Sequence, residues 1–138
     1  MKKMLMVFLI VFTVNANAAD KQFICTFTSS IKVTELSSTA PKAETQIINT
    51  RFTFLLSPDG SASYINLKFG NKAPATAIVE QHQTIFIERA NSDNLFMVTI
   101  FNEPNPDKTY PAIYSFAAWL KIEHYYPRME FGTCRKVW

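Results

Sequence analysis

Two histidines, two cysteines and eleven carboxylates are the residues of this chain with the most reactive side chains, and their spacing assembles no recognised catalytic constellation. His82 and His124 have no partner at i, i+4 and no His-Glu-x-x-His pattern, so the helix-borne zinc-hydrolase arrangement is missing. Glu123 precedes His124 directly, and adjacent residues on a strand point to opposite faces. The nearest approach to a nucleophile elbow, Gly60-Ser61-Ala62-Ser63, lacks the second glycine and falls in a hairpin instead of a strand-to-helix turn. With only Gly60, Gly70 and Gly132 in the chain, no glycine-rich loop can cradle a phosphate. The expectation is a protein with no catalytic residues, no cofactor and no metal. A hydrolase of unfamiliar design, with carboxylates paired across strands, is the enzymatic alternative.

The cysteines suit a structural role. Cys25 and Cys134 lie near opposite ends of the chain, without the Cys-x-x-Cys spacing or flanking histidine that redox and zinc sites use. An even count in an oxidising compartment reads as a disulfide, and two cysteines allow one intramolecular pairing. Closing a loop of about a hundred residues stabilises by roughly 4–5 kcal/mol in the chain-entropy model.

The compartment follows from residues 1–18, which read as a cleavable signal peptide. Lys2 and Lys3 form a positive start, Met4 to Val14 an apolar run, and Ala16-Asn17-Ala18 a small-residue cleavage site. The run is shorter than the about 20 residues needed to cross a bilayer. Cys25 is too far from it to carry a lipid. The expected product is residues 19–138, a single exported domain, periplasmic or extracellular, with no stable membrane insertion after cleavage. Removing Lys2 and Lys3 leaves twelve basic against eleven acidic residues, a balance of +1. The longest basic cluster, Arg135-Lys136, is too small for the basic stripe of a nucleic-acid surface, so no nucleic-acid partner is expected.

Phe, Tyr, Ile, Val and Thr dominate this region, which is strand chemistry. Phe23, Cys25 and Phe27 alternate with polar neighbours, and Ile31 to Leu36 continues that strand or forms a second. Residues 36–45 read as a loop and 46–56 as a strand with Phe52, Phe54 and Leu56 on one face. Ser57-Pro58-Asp59-Gly60 is a turn, because Pro presets φ, Asp can close the turn with its side chain, and Gly takes φ > 0. It leads into a strand over 62–69. A turn at 70–74, strands at 75–80, 84–89 and 95–102, and a proline-rich break at 103–111 follow. Residues 112–124 fit a helix face or an alternating strand, and a strand is favoured by the neighbouring pattern. A last strand over 129–136 carries Cys134.

Seven to nine such strands predict an all-β fold, a small antiparallel barrel or sandwich, with its N- and C-terminal strands linked by the disulfide. A membrane barrel fits poorly, since several strands are short and Lys136 shares a face with Trp138. An up-and-down order would place the 36–45, 70–74, 91–94 and 125–128 connections at one end. The other end would carry 57–61, 81–83 and 103–111. Tyr125, Tyr126 and Arg128 at the first end, and Tyr110 at the second, are the candidate binding residues, because Tyr and Arg serve as contact anchors. The rival role for the tyrosines is packing over the barrel mouth. The expected function is binding of a partner protein in the cell envelope or outside the cell, as an inhibitor or accessory factor. The alternative is carriage of a small apolar ligand within a barrel.

Overall fold

Alternation along most strands separates an inward face from an outward one, and aromatic rings from β1, β2, β3, β5, β6 and β7 line a closed eight-stranded barrel. The computed structural model describes residues 20–35, 42–67, 70–91, 94–118 and 127–137. Residues 1–18, expected to be a signal peptide, and His124, Tyr125 and Tyr126 lie outside the described residues. The strands are β1 (Lys21–Glu35), β2 (Lys42–Leu56), β3 (Ala62–Asn66), β4 (Lys72–Val79), β5 (Gln83–Asn91), β6 (Asn94–Phe101), β7 (Tyr110–Ala118) and β8 (Arg128–Val137). Each pairs antiparallel with the next, and β8 pairs with β1 to close the ring. The architecture is therefore a barrel with up-and-down order, and the connections alternate between its two ends.

The seam between β1 and β8 carries the disulfide. Cys25 and Cys134 face each other directly in the β1–β8 register, both fully buried, and are bonded across 109 positions of sequence. Two residues further along the seam, Gly132 sits opposite Phe27, next to a β-bulge between Phe27 and Ser29. A methyl group at Gly132 would collide with the Thr26 carbonyl and come within 2.6 Å of the Phe27 Cα. Only glycine permits this closeness of the two backbones. Phe23, Phe27, Phe52, Phe54, Phe86, Val98 and Ile100 fill the interior around the bridge.

The turns show the chemistry their residues suggest. Asp59 Oδ1 accepts hydrogen bonds from the Ser61 amide at 2.9 Å and its hydroxyl at 2.7 Å, and Gly60 takes φ +85°. These bonds hold the Asp59 carboxyl below the usual carboxylate range. Asp107 repeats the device for Thr109 before β7, and there Lys108 occupies the left-handed region at φ 62°.

The segment after Ser29 continues β1 through the bulge, one of the two readings the sequence left open, so the first strand is one element of 15 residues. Two boundaries differ markedly from the sequence reading. β2 begins at Lys42 inside the expected 36–45 loop. Its residues 42–47 are all exposed and pair with β1, so backbone hydrogen bonding holds them without any alternation of burial. β4 begins at Lys72, inside the expected turn at 70–74, and includes Pro74. Pro74 lacks an amide donor. Residues 72–75 of β4 pair with β3, whereas the β4–β5 ladder runs only from Thr76–Ile87 to Val79–Thr84. Proline near the end of a ladder is tolerated where its missing donor is not needed. The expected strand over 112–124 is present from Tyr110 to Ala118, and the rest of that range lies outside the described residues.

Candidate functional site

Among the described residues, the barrel is packed tightly at one end and hollow towards the other. At the packed end, Lys136 Nζ lies 3.9 Å from the Tyr110 ring centroid and donates to Asn102 Oδ1 at 3.1 Å. Asn102 in turn donates to the carbonyls of Glu80 and Gln81 at 3.0 and 3.1 Å, tying the β4–β5 turn to the end of β6. Burial, with Lys21 nearby, pushes the Lys136 ammonium down from the usual lysine range. Tyr110, one of the candidate binding residues, is thus half-buried beneath a lysine at this end.

Above that plug lies a chamber of about 250 Å³. β4 creates it. Ala73, Ala75 and Ala77 are the half-buried positions of that strand, so its inward side reaches only a methyl group into the barrel. Large rings come from the facing strands. Phe54 stacks on Phe86 at 4.8 Å between centroids, and Phe52 lies 5.1 Å from Tyr114. Phe96 stacks on Phe116 at 4.7 Å and on Tyr114 at 6.1 Å, fixing the wall on the β6–β7 side. Aromatic pairs at these spacings are mutually stabilising and hold their rings in place without a ligand.

Polar groups in the chamber are few: the carboxylate of Glu88, the hydroxyls of Tyr64 and Tyr114, and the amide of Asn66. Tyr64 is hydrogen-bonded to Glu88. Burial, then this bond and the Glu88 charge, push the Tyr64 phenol far above its ordinary range. Burial and the charge of Glu130 do the same to Tyr114. Both phenols therefore remain neutral at any physiological pH.

A wider space of about 660 Å³ adjoins the chamber, sharing Phe52, Asn66 and Tyr114 with it. Its rim includes the exposed residues Asn49, Arg51 and Leu67, and its wall includes Arg128 and Glu130. Residues two apart on β8 share a face, so Arg128 and Glu130 both turn inward. Arg128 Nη2 meets Glu130 Oε1 at 2.8 Å, with the Glu130 side chain only 4% exposed. Glu130 Oε2, Arg128 Nε and Ser30 Oγ are buried with no hydrogen-bond partner among the described residues. Burial pushes the Glu130 carboxyl up, against the opposing pull of Arg128 and of a hydrogen bond from Thr50.

Among the sequence-derived candidates, Arg128 lies at the hollow end and Tyr110 at the packed end, so the fold does not bring them together. Tyr125 and Tyr126 lie outside the described residues. Tyr64, Glu88, Tyr114 and Glu130 were not singled out by sequence reasoning. The signal that could have found the chamber is the alternating Ala73, Ala75, Ala77 row, a strand whose inward face is small beside strands that carry Tyr64 and Phe86. Among the described residues, no group of three or more His, Cys, Asp or Glu side chains gathers where a metal could bind. No helix among them is long and apolar enough to cross a membrane. The Cys25–Cys134 disulfide is consistent with a location outside the cytoplasm. Comparison with protein-family models, with curated proteins and with solved structures finds no match to this chain.

Proposed function

We propose that this protein binds a small, mainly apolar ligand inside its barrel and is exported from the cytoplasm to do so. The observation that carries the reading is the chamber walled by fixed aromatic rings and emptied by the alanines of β4. Eight-stranded barrels have interiors that are either filled by side chains or just wide enough for one small ligand. Mostly apolar concave sites with a few convergent polar groups are the usual form of small-molecule sites. The packed end, with Lys136 and the disulfide, leaves the hollow end as the route in. Native mass spectrometry of protein purified without denaturation tests this. A bound small molecule, released on unfolding and replaceable by an added alkylbenzene, supports the reading. Protein that is empty and takes up no alkylbenzene defeats it. Export rests on the signal-like residues 1–18 and the disulfide; N-terminal sequencing of the mature protein should begin at Ala19.

A protein partner is the second reading, and one observation favours it. Residues 43–49 of β2 extend past the β2–β3 ladder with no partner strand on that side among the described residues, and Ile47 there is 96% exposed. An open edge of this kind can accept an extended segment of another protein by strand addition. Capture of a partner that Ile47→Lys abolishes, with chamber binding unchanged, would support this role.

A further inference from the structure

We propose that the chamber selects an organic cation, a small alkyl- or arylammonium group whose charge rests against Glu88 while its apolar substituents contact the rings. This inference rests on the chamber-binding reading above and narrows it to one charge class.

Glu88 is an acidic group placed in an aromatic box. Its side chain lies in the chamber with Phe54, Phe86 and Tyr64, and its one hydrogen bond among the described residues is from Tyr64. A phenol shares a carboxylate's charge but does not neutralise it. No salt bridge to Glu88 is formed among the described residues. Of the two arginines lining the adjoining space, Arg128 is engaged with Glu130 at 2.8 Å and Arg51 is exposed at the rim. Lys136 is held at the packed end by Tyr110 and Asn102. The local fold leaves room beside Glu88, because the β4–β5 ladder stops at Thr76–Ile87 and Ala75 is the β4 residue lining the chamber there.

The three possible ligand charges have different consequences at such a site. An anion would be repelled by Glu88. A neutral apolar ligand would displace solvent from a carboxylate and supply nothing in return, and removing an unpaired charge from water is costly. A cation would complete an ion pair and also meet the negative faces of the surrounding rings. Rings around an ammonium group attract it through their quadrupoles, most strongly when both are desolvated. The residues that make the chamber aromatic and the residue that makes it acidic therefore favour the same ligand.

The test uses two probes of nearly identical shape, phenyltrimethylammonium and tert-butylbenzene, which differ by one charge. Isothermal titration on the full-length mature protein should show the cation binding at least about tenfold more tightly. Glu88→Gln should remove that preference by weakening the cation and strengthening tert-butylbenzene, whose binding no longer desolvates a charge, and tert-butylbenzene binding by the variant also reports that it is folded. Equal or tighter binding of tert-butylbenzene to the unaltered protein overturns the charge selection and leaves chamber binding standing. Binding of neither probe overturns both. A cation preference that survives Glu88→Gln overturns the role of Glu88. If that variant does not fold, Glu88→Asp retains the charge but withdraws it by one methylene. The preference should then fall several-fold, and an unchanged preference overturns the assignment.

Discussion

Ala75→Leu should make the protein more stable and less able to bind. Ala75 lines the chamber from a half-buried position opposite Ala62 on β3, so the three added carbons enter empty space between small residues. Each buried carbon is worth about 0.8 kcal/mol, giving roughly 2.4 kcal/mol as an upper value. Restricting the new leucine side chain costs about 0.5–1 kcal/mol. The net gain is about 1.5 kcal/mol, which for a domain of this length raises the thermal midpoint by roughly 5 °C. The same atoms occupy the space a ligand would fill, so titration with either chamber probe should show affinity lost or sharply reduced. Calorimetric melting paired with titration reads both quantities on one preparation. A lowered midpoint would mean the leucine is overpacked, since forced insertions cost about 1–3 kcal/mol, and would refute the claim of free space at Ala75. A raised midpoint with binding intact would place the ligand elsewhere.

Three other changes probe the framework. Cys25→Ser or Cys134→Ser should each lower stability by about 2–5 kcal/mol, to a similar degree because either breaks the same bridge, and thiol labelling of the denatured unreduced protein should find no free thiol. Glu130, whose carboxyl is raised by burial, contributes stability that is present below the ordinary glutamate range and lost as pH rises through its raised value. Glu130→Gln should therefore flatten that part of the stability–pH curve, measured by denaturant melts; an unchanged slope would show that Glu130 does not titrate abnormally. Lys108→Gly relieves a left-handed backbone conformation that a non-glycine residue adopts at a cost of about 1 kcal/mol, and it should raise the thermal midpoint by a few degrees. A fall would mean that the lysine side chain contributes more than its backbone conformation costs.

The elements that could be read from the chain are those where local chemistry and burial agree. Ser57 to Gly60 announces its turn through Pro, Asp and Gly together, and Phe52, Phe54 and Leu56 announce the inward face of β2 by alternation. Cys25 and Cys134 announce that the first and last strands meet, which suits a closed meander and a sandwich alike; only the pairing of β8 with β1 decides for the barrel. Reading failed where pairing is not accompanied by burial. Residues 42–45 are strand only because β1 offers them backbone partners, and their side chains are all exposed, so no period marks them. Pro74 reads as a breaker, yet it sits where β4 is leaving β5, and the missing donor is tolerated. The chamber was hidden for a different reason. It is a property of what faces what around the ring: alanines of β4, rings of β2 and β6, Glu88 of β5. Those adjacencies depend on the register, which turn chemistry and alternation leave open. Arg128 drew notice as a contact anchor, while its partner Glu130, two residues along, did not.

The seam between β1 and β8 also bears on how the barrel is assembled. Seven of its eight strand pairings join neighbours in sequence and can form as successive hairpins. The eighth must bring together residues 109 positions apart, so the entropy of closing the loop falls on that one step. The ring thus has an obligatory last rung, and until it forms, β1 and β8 both present open edges to other chains. Once Cys25 and Cys134 are joined, an unfolded chain remains a cycle with those edges already near each other. Oxidised protein should then refold by a sequence of short-range steps, and reduced protein should pass through an open sheet prone to pairing with its own copies.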